Sequence, residues 1–472
     1  MAANMDREDG LPKPGAEPAS GPLNECKWSD GPADAVASSA MATQQRTITY
    51  TVADQAVDRY PRIAFEVPEG APGVDVRIAA TGIDGPAVVD LGCEGADGWR
   101  GWSGGARRDF VITADAATPG YLPGPIEAGE WAVVLGLHQI PAAGVRIKAE
   151  IDIPPRRAPE PEPLLPPAVR EVRGSDRDLP CAPGLRWFAT DLHAHTVHSD
   201  GQDTIDELAR RAVESGLDVL AITDHNTVSH HRLLDAASAR HAVTLLPGQE
   251  VTTARGHANA LGPVRWVDFR RPVETWFRQV AADGGLLSVN HPLADDCAWQ
   301  HPWVVTPPAV EALHVSWFRA LTDTAPWAYL AVLDRLADEH GVERPVLLGG
   351  SDYHRPEHRL ALGTPITWVA AVDDSPAAVL EALRAGRSAL SVGLDPAQPF
   401  GPDRVVTPDP LGCPVLLRVG DELVADRADG AVLVDADGRR RRVLGRRAVF
   451  RASGRSPFRL EDADRRLVAI SR

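Results

Sequence analysis

Cysteine is scarce. The 472-residue chain holds five (Cys26, Cys93, Cys181, Cys297, Cys413), widely spaced and with no Cys-x-x-Cys pair. That argues against a disulfide framework and a thiolate zinc site, and fits a reducing, cytoplasmic setting. Long apolar runs are missing too. No stretch approaches the ~18 uninterrupted apolar residues that span a bilayer, so no membrane association is expected. The opening MAANMDREDG has no apolar core of a secretory signal. Positive charge is in deficit: 49 Lys and Arg against 65 Asp and Glu leave a formal charge of −16. A basic nucleic-acid-binding surface is therefore not the expectation. What remains is a globular composition, 44% hydrophobic, long enough for roughly three domains.

The texture changes four times along the chain. Residues 1–44, rich in Ala, Gly, Pro, Ser and acids with no hydrophobic period, read as a disordered tail. Residues 45–153 hold short β-type runs broken by turn residues, such as RIAFEV (62–67) and EWAVVLGL (130–137). Such runs without helical segments predict an antiparallel β-sandwich, jelly-roll-like in its PGPIEAGEWAVVLG phrase. Residues 154–185 form a linker with nine prolines between Pro154 and Pro183, an extended spacer. Residues 186–400 alternate apolar β-runs with helical patterns, for example a helix near 203–215 with Thr204 and Glu207 spaced as a capping box. This βα alternation predicts an α/β architecture with parallel strands in a barrel or open sheet. Residues 401–472 return to short β-runs and predict a small β-rich C-terminal domain.

Of 15 histidines only His138 lies outside residues 193–358. Histidine is the commonest metal ligand, and here the polar clusters follow the apolar runs. In a parallel α/β barrel the strand C-termini form the active-site face. Asp191, His193, His195, Asp224, His225, Glu250, His291, Asp352 and His354 should therefore converge. His193 and His195 lie two apart on a strand, so both imidazoles share one face; Asp352 and His354 repeat the spacing. Glu250 ends an apolar run where a carboxylate can bridge two cations.

The ordered set DLHAHTVHSDG, AITDHNT, PGQE, VNHP and GGSDYH resembles the PHP (polymerase and histidinol phosphatase) superfamily of metal-dependent phosphoesterases, over about residues 187–393. GHANALG (256–262) and LEALRAGRSALSVG (380–393), with a β-domain ahead, look like its CehA/McbA metallohydrolase branch. The resemblance implies a distorted (β/α)7 barrel with two or three divalent cations, Mn, Zn or Fe. Carried over residue by residue, it implies a first metal on His193, His195, Glu250 and Asp352. A second would share Glu250 and take His291 and His257. A third would take Asp200, His225 and His354. Asp191 and Asp224 are candidates to orient an imidazole, or to serve the strand end structurally. His314 and Arg355 are candidate substrate contacts. His198, His230, His231, His301, His340 and His358 read as surface or loop residues. Trp276, Trp299, Trp303 and Trp317 fit a pocket wall or an ordinary core equally.

The chemistry implied is attack by a metal-bound hydroxide, with no protein nucleophile. A small phosphomonoester or phosphodiester is the first expectation for substrate. A carboxyl ester, carbamate or amide is the alternative, and a non-catalytic metal-containing binding module the third. Nucleic acid ranks below small molecules, because no basic stripe with interleaved aromatics accompanies the site. Oligomeric state is left open.

Overall fold

The computed structural model describes residues 42–169, 172–294, 297–301, 307–314, 326–356, 361–394 and 408–472. The first eight strands are β1 (Ala42–Tyr50), β2 (Arg62–Val67), β3 (Gly73–Gly82), β4 (Val88–Gly95), β5 (Gly98–Gly104), β6 (Asp109–Thr113), β7 (Gly129–Gln139) and β8 (Val145–Ile153). They form two antiparallel four-stranded sheets, ordered β1-β8-β3-β6 and β2-β7-β4-β5. Alternation drives the packing. In β2, Ile63, Phe65 and Val67 are buried and the residues between them exposed. The interior is filled by Phe65, Val76, Leu91, Phe110, Trp131 and Leu135. The two sheets share this interior, and a short helix, Val52–Val57, lies between β1 and β2. Its first strand takes in Ala42–Gln44, while residues 1–41 lie outside the described residues.

The next nine strands are β9 (Arg186–Asp191), β10 (Val219–Ile222), β11 (Thr244–Thr253), β12 (Gly256–Leu261), β13 (Leu286–Val289), β14 (Ala309–His314), β15 (Val346–Gly350), β16 (Ile366–Ala371) and β17 (Ser388–Ser391). Helices Ile205–Glu214, His231–His241, Val273–Ala282, Pro326–His340 and Pro376–Arg384 connect them. The first starts on the predicted capping box: Thr204 N–H donates to Glu207 Oε2 at 2.8 Å, and Glu207 N–H to Thr204 Oγ1 at 3.3 Å.

The expectation of a (β/α)7 barrel of parallel strands needs correction. β9-β10-β11 and β13-β14-β15 are parallel runs, but β12 is antiparallel to both β11 and β13, and β16 is antiparallel to β9. The cause is local. Only Ala254 and Arg255 separate β11 from β12, and a two-residue connection can join only antiparallel neighbours. The result is a mixed α/β fold with several sheets. Among the described residues no ladder joins β15 to β16. Thr367 Oγ1 of β16 instead accepts from Gly349 N–H at 2.9 Å and donates to Gly349 O at 2.8 Å.

The C-terminal segment holds β18 (Val415–Val419), β19 (Glu422–Asp426), β20 (Val432–Val434), β21 (Arg440–Arg442), β22 (Arg447–Arg451), β23 (Phe458–Glu461) and β24 (Leu467–Ser471). It does not stand apart. β24 pairs antiparallel with β17, so the central sheet runs on through β24-β23-β20-β21. Buried Arg177 meets Asp426 at 2.6 Å and ties the linker to this segment.

Met41–Arg472 pack as one unit. Trp102 and Val134 of the sandwich share a buried cluster with Val251, Ala258, Phe269 and Trp276. Trp99 stacks on Trp266 with centroids 4.3 Å apart. Gly120 N–H donates to His198 Nδ1 at 3.2 Å, and its carbonyl accepts from Thr227 Oγ1 at 2.8 Å. No described helix is long and apolar enough to cross a membrane.

Candidate metal centre

The chain leaving β9 runs beside the chain leaving β15. His195 N–H donates to Tyr353 O at 2.9 Å, and Asp352 N–H to His193 O at 2.9 Å. That pairing puts His193, His195 and Asp352 on one spot. The His193 and His195 Nε2 atoms lie 3.1 Å apart, and Asp352 Oδ1 is 3.2 Å from the first and 3.0 Å from the second. Asp352 has φ 52° and His291 φ 25°, left-handed values rare outside glycine and common where a site imposes its geometry.

Glu250 sits at the centre, fully buried. Its Oε1 is 3.2 Å from His193 Nε2, 3.3 Å from His257 Nδ1 and 3.4 Å from His291 Nε2. Its Oε2 is 2.7 Å from His225 Nδ1 and 3.6 Å from His195 Nε2. On the outer side Asp200 Oδ1 lies 3.3 Å from His354 Nε2 and 3.5 Å from His225 Nε2. All nine residues singled out as ligand candidates are thus brought together. The donor sets that fit a single ion are His193–Glu250–His291, His193–His195–Asp352 and His195–Asp200–His225–His354. His193 and His195 each belong to two of them.

The electrostatics suit a cation. Burial alone would raise the Glu250 carboxyl, but the facing His193, His225 and His257 hold it well below the carboxylate range. Asp352 behaves likewise, burial being outweighed by His193 and His354. Burial, with His354 and His225 nearby, pushes His195 down to about 4. For His225 burial is overridden by Asp200 and Glu250, which lift it to about 10. The imidazole orientations also fit. His193 Nδ1 faces Glu311 Oε1 at 2.8 Å, and His354 Nδ1 donates to Asp352 O at 2.7 Å. Each ring therefore turns Nε2 toward the carboxylates, as second partners of metal-bound histidines do. Crowded imidazole nitrogens and ionised carboxylates are a donor set suited to metal ions.

Glu311 was not foreseen in the sequence. It is buried on β14, and its Oε2 also accepts from His291 N–H at 2.8 Å. The available signal was one glutamate inside the apolar AVEALH run. His314, expected near the pocket, closes the same strand, and its side chain lies outside the described ones. Asn290 Nδ2 donates to Glu250 Oε1 at 2.7 Å and steadies it from behind.

Asp191 and Asp224 do not orient the ligand imidazoles. Asp191 accepts from the backbone N–H groups of His193, Ser351 and Gly363. Asp224 accepts from Thr196 N–H, Thr196 Oγ1 and Ser199 Oγ and faces His230 Nδ1 at 3.2 Å. Both are clamps on the loops that carry ligands. Arg355 is exposed and makes no ion pair among the described residues. His198 and His230, expected as surface or loop residues, lie in loops but are buried, His198 against Gly120 of the sandwich. His358, Trp303 and Trp317 lie outside the described residues. Trp276 belongs to the core beneath the sandwich, with Trp299 packed against it.

A cavity of about 380 Å³ opens on the centre. Asp200, His225 and His257 line one side of it, and Asp90, Trp102 and His138 of the sandwich the other.

Comparison with known proteins agrees with this geometry. Residues 191–291 match the family model for the PHP domain, and the chain carries a PHP domain there. The 5'-3' exoribonuclease Rnm of Salmonella typhimurium is 43% identical over 65 residues, 13% of this chain. The chain spans only 22% of that relative's length. A two-domain protein from Bacteroides vulgatus containing a predicted PHP-like metal-dependent phosphoesterase is 18% identical. Its match covers 65% of this chain and 91% of the other, with TM-score 0.38. An amidohydrolase from Chromobacterium violaceum is also 18% identical, covering 37% and 89%, with TM-score 0.26.

Proposed function

We propose that the chain is a metal-dependent hydrolase acting on small phosphoesters, with two or three divalent cations held by His193, His195, Asp200, His225, Glu250, His257, His291, Asp352 and His354. The carrying observation is that His193 and His195 each join two adjacent donor sets around the Glu250 carboxylate. Such sharing suits neighbouring cations, the arrangement that clamps attacking and leaving oxygens in phosphoryl transfer. When bound, the cations supply Lewis acidity and lower the pKa of a coordinated water.

The chain's own groups then have separate tasks. Glu311 and Asn290 hold His193, His291 and Glu250 in place. Asp200, half-exposed, brings its donor oxygen to the cavity side.

A carboxyl ester, carbamate or amide substrate, as the CehA/McbA resemblance would imply, uses the same donors. Nuclease action, the activity of the Rnm relative, does so as well. The test is hydrolysis by the Mn-loaded protein of p-nitrophenyl phosphate, its bis-ester and a p-nitrophenyl carboxylate or carbamate. Phosphorus turnover lost in His193→Ala supports the proposal. Metal-dependent turnover of the carbonyl probe alone replaces it with the alternative. A small-molecule partner and a cytoplasmic location belong to the same reading. Among the described residues Cys93, Cys181 and Cys413 are free thiols.

A further inference from the structure

The one histidine outside the clustered interval is not outside the site. His138 stands on β7 of the sandwich, yet it lines the cavity that reaches Asp200, His225 and His257. Strand alternation explains why. Val89 and Leu91 of β4, and Leu135 and Leu137 of β7, point into the sandwich interior. Asp90 and Gly136 lie between them and face the other way, toward the PHP segment, and His138, where the β4–β7 register shifts, lines the same cavity. Asp90 is paired with Gly136 across the two strands. A Cβ on Gly136 would sit 2.6 Å from Asp90 Oδ2 and 2.9 Å from the Trp102 ring. Only the missing side chain leaves room for this carboxylate.

Asp90 has no hydrogen-bond donor among the described residues. A carboxylate is acceptor-only, and a half-buried one without a donor carries a desolvation cost. A ligand hydroxyl would relieve it. The same negative charge would repel a second phosphate entering from that side. The cavity volume is at the small-molecule end of ligand pockets.

Resting on the phosphoesterase reading above, we infer that the β-sandwich supplies the leaving-group subsite, with Asp90 and His138 as specificity-determining residues. The structure thereby points to a small phosphomonoester of a polyhydroxylated alcohol, its phosphoryl group toward the metal donors and its hydroxyls on Asp90. The reaction is R–O–PO₃²⁻ + H₂O → R–OH + HPO₄²⁻. A phosphorus–oxygen bond forms from water as the bond to the alcohol oxygen breaks, and that oxygen takes a water proton.

The experiment compares kcat/KM of the Mn-loaded full chain for glycerol 3-phosphate, p-nitrophenyl phosphate and a short oligoribonucleotide. Asp90→Leu and Asp90→Asn are measured beside wild type, with metal content and circular dichroism checking that each is folded. The expected result is that Asp90→Leu lowers kcat/KM for glycerol 3-phosphate at least tenfold more than for p-nitrophenyl phosphate, and His138→Ala in the same direction. Calorimetric titration with 3,4-dihydroxybutylphosphonate should lose affinity in Asp90→Leu, while phenylphosphonate loses less. Equal effects on both substrates overturn the subsite. So does an oligoribonucleotide that wild type prefers to glycerol 3-phosphate. Turnover of p-nitrophenyl phosphate without turnover of glycerol 3-phosphate overturns the subsite and leaves the phosphoesterase reading standing. No phosphoester turnover at all overturns both.

Discussion

Glu311→Gln isolates a buried carboxylate that touches two candidate ligands without belonging to a donor set. In the native chain Oε1 meets His193 Nδ1 and Oε2 accepts from His291 N–H, both at 2.8 Å. A glutamine fills the same volume but offers one acceptor oxygen and one amide. If the oxygen stays on His193, the amide faces His291 N–H, donor against donor. If it turns to His291, the amide faces the protonated Nδ1 of His193. Either way one buried donor is left without an acceptor, at about 1–3 kcal/mol. The orienting charge behind His193 also goes, and loss of such partners weakens metal binding by about 10–100-fold, or ~1.4–2.7 kcal/mol. Competition with a fluorescent chelator should show the weaker affinity. Urea unfolding in EDTA should show the smaller loss of stability in the metal-free protein. Unchanged metal affinity in a folded variant would refute the role given to Glu311.

Other expectations follow from close contacts and buried charge. Gly350→Ala would place a Cβ 2.3 Å from His193 Cβ and 2.8 Å from Glu311 Oε1; the variant should bind less Mn per chain by elemental analysis at unchanged helix content. Gly136→Ala, pressed against Asp90 and Trp102, should cost about 1–3 kcal/mol in urea unfolding and raise KM for any substrate that fills the cavity. Asp426→Ala strands the buried Arg177 guanidinium and should cost about 3–5 kcal/mol. Burial would raise the Asp426 carboxyl, but Arg177 and Arg447 hold it below its ordinary value. Its stabilisation is therefore present above the unfolded carboxyl pKa and lost as pH falls through the folded one. Thermal melts from pH 6 down to pH 2 should drop less steeply in Asp426→Asn than in wild type.

The candidate metal donors were legible because they follow short apolar strands, and strand ends of one sheet face the same way. His193, Glu250 and Asp352 needed no tertiary information beyond that rule. The antiparallel β12 was harder. GHANALG was tied to a ligand by resemblance, but nothing in its alternation distinguishes a returning hairpin strand from the next parallel one. The signal was the two-residue separation from β11, too short for a crossover. Glu311 hid as a single acid in an apolar run, where its burial was the anomaly to notice. His198 lies in a loop, yet its burial comes from other parts of the chain. A loop is covered or bare according to what docks on it, and local pattern carries no trace of that. His138 and Asp90 were invisible as site residues for the same reason.

That docking is not incidental to the donors. The loop after β9 carries His195 and Asp200 and also His198, whose Nδ1 accepts from Gly120 N–H of the sandwich and whose Nε2 lies 2.7 Å from Glu162 Oε1 of the linker. The loop after β10 carries His225 and also Thr227 and Ser229, the other partners of Gly120. Asp224 binds the first loop at Thr196 and Ser199 and faces His230 of the second. The two loops are thus one hydrogen-bonded body, with metal donors on one edge and the sandwich on the other. A Cβ on Gly120 would come within 2.8 Å of both the His198 and Trp102 carbonyl oxygens, so the fit tolerates little displacement. A shift of the sandwich must move His195, Asp200 and His225 with it or break these bonds. The cavity between Asp90 and the donors is therefore held at fixed width by the same atoms that place the donors.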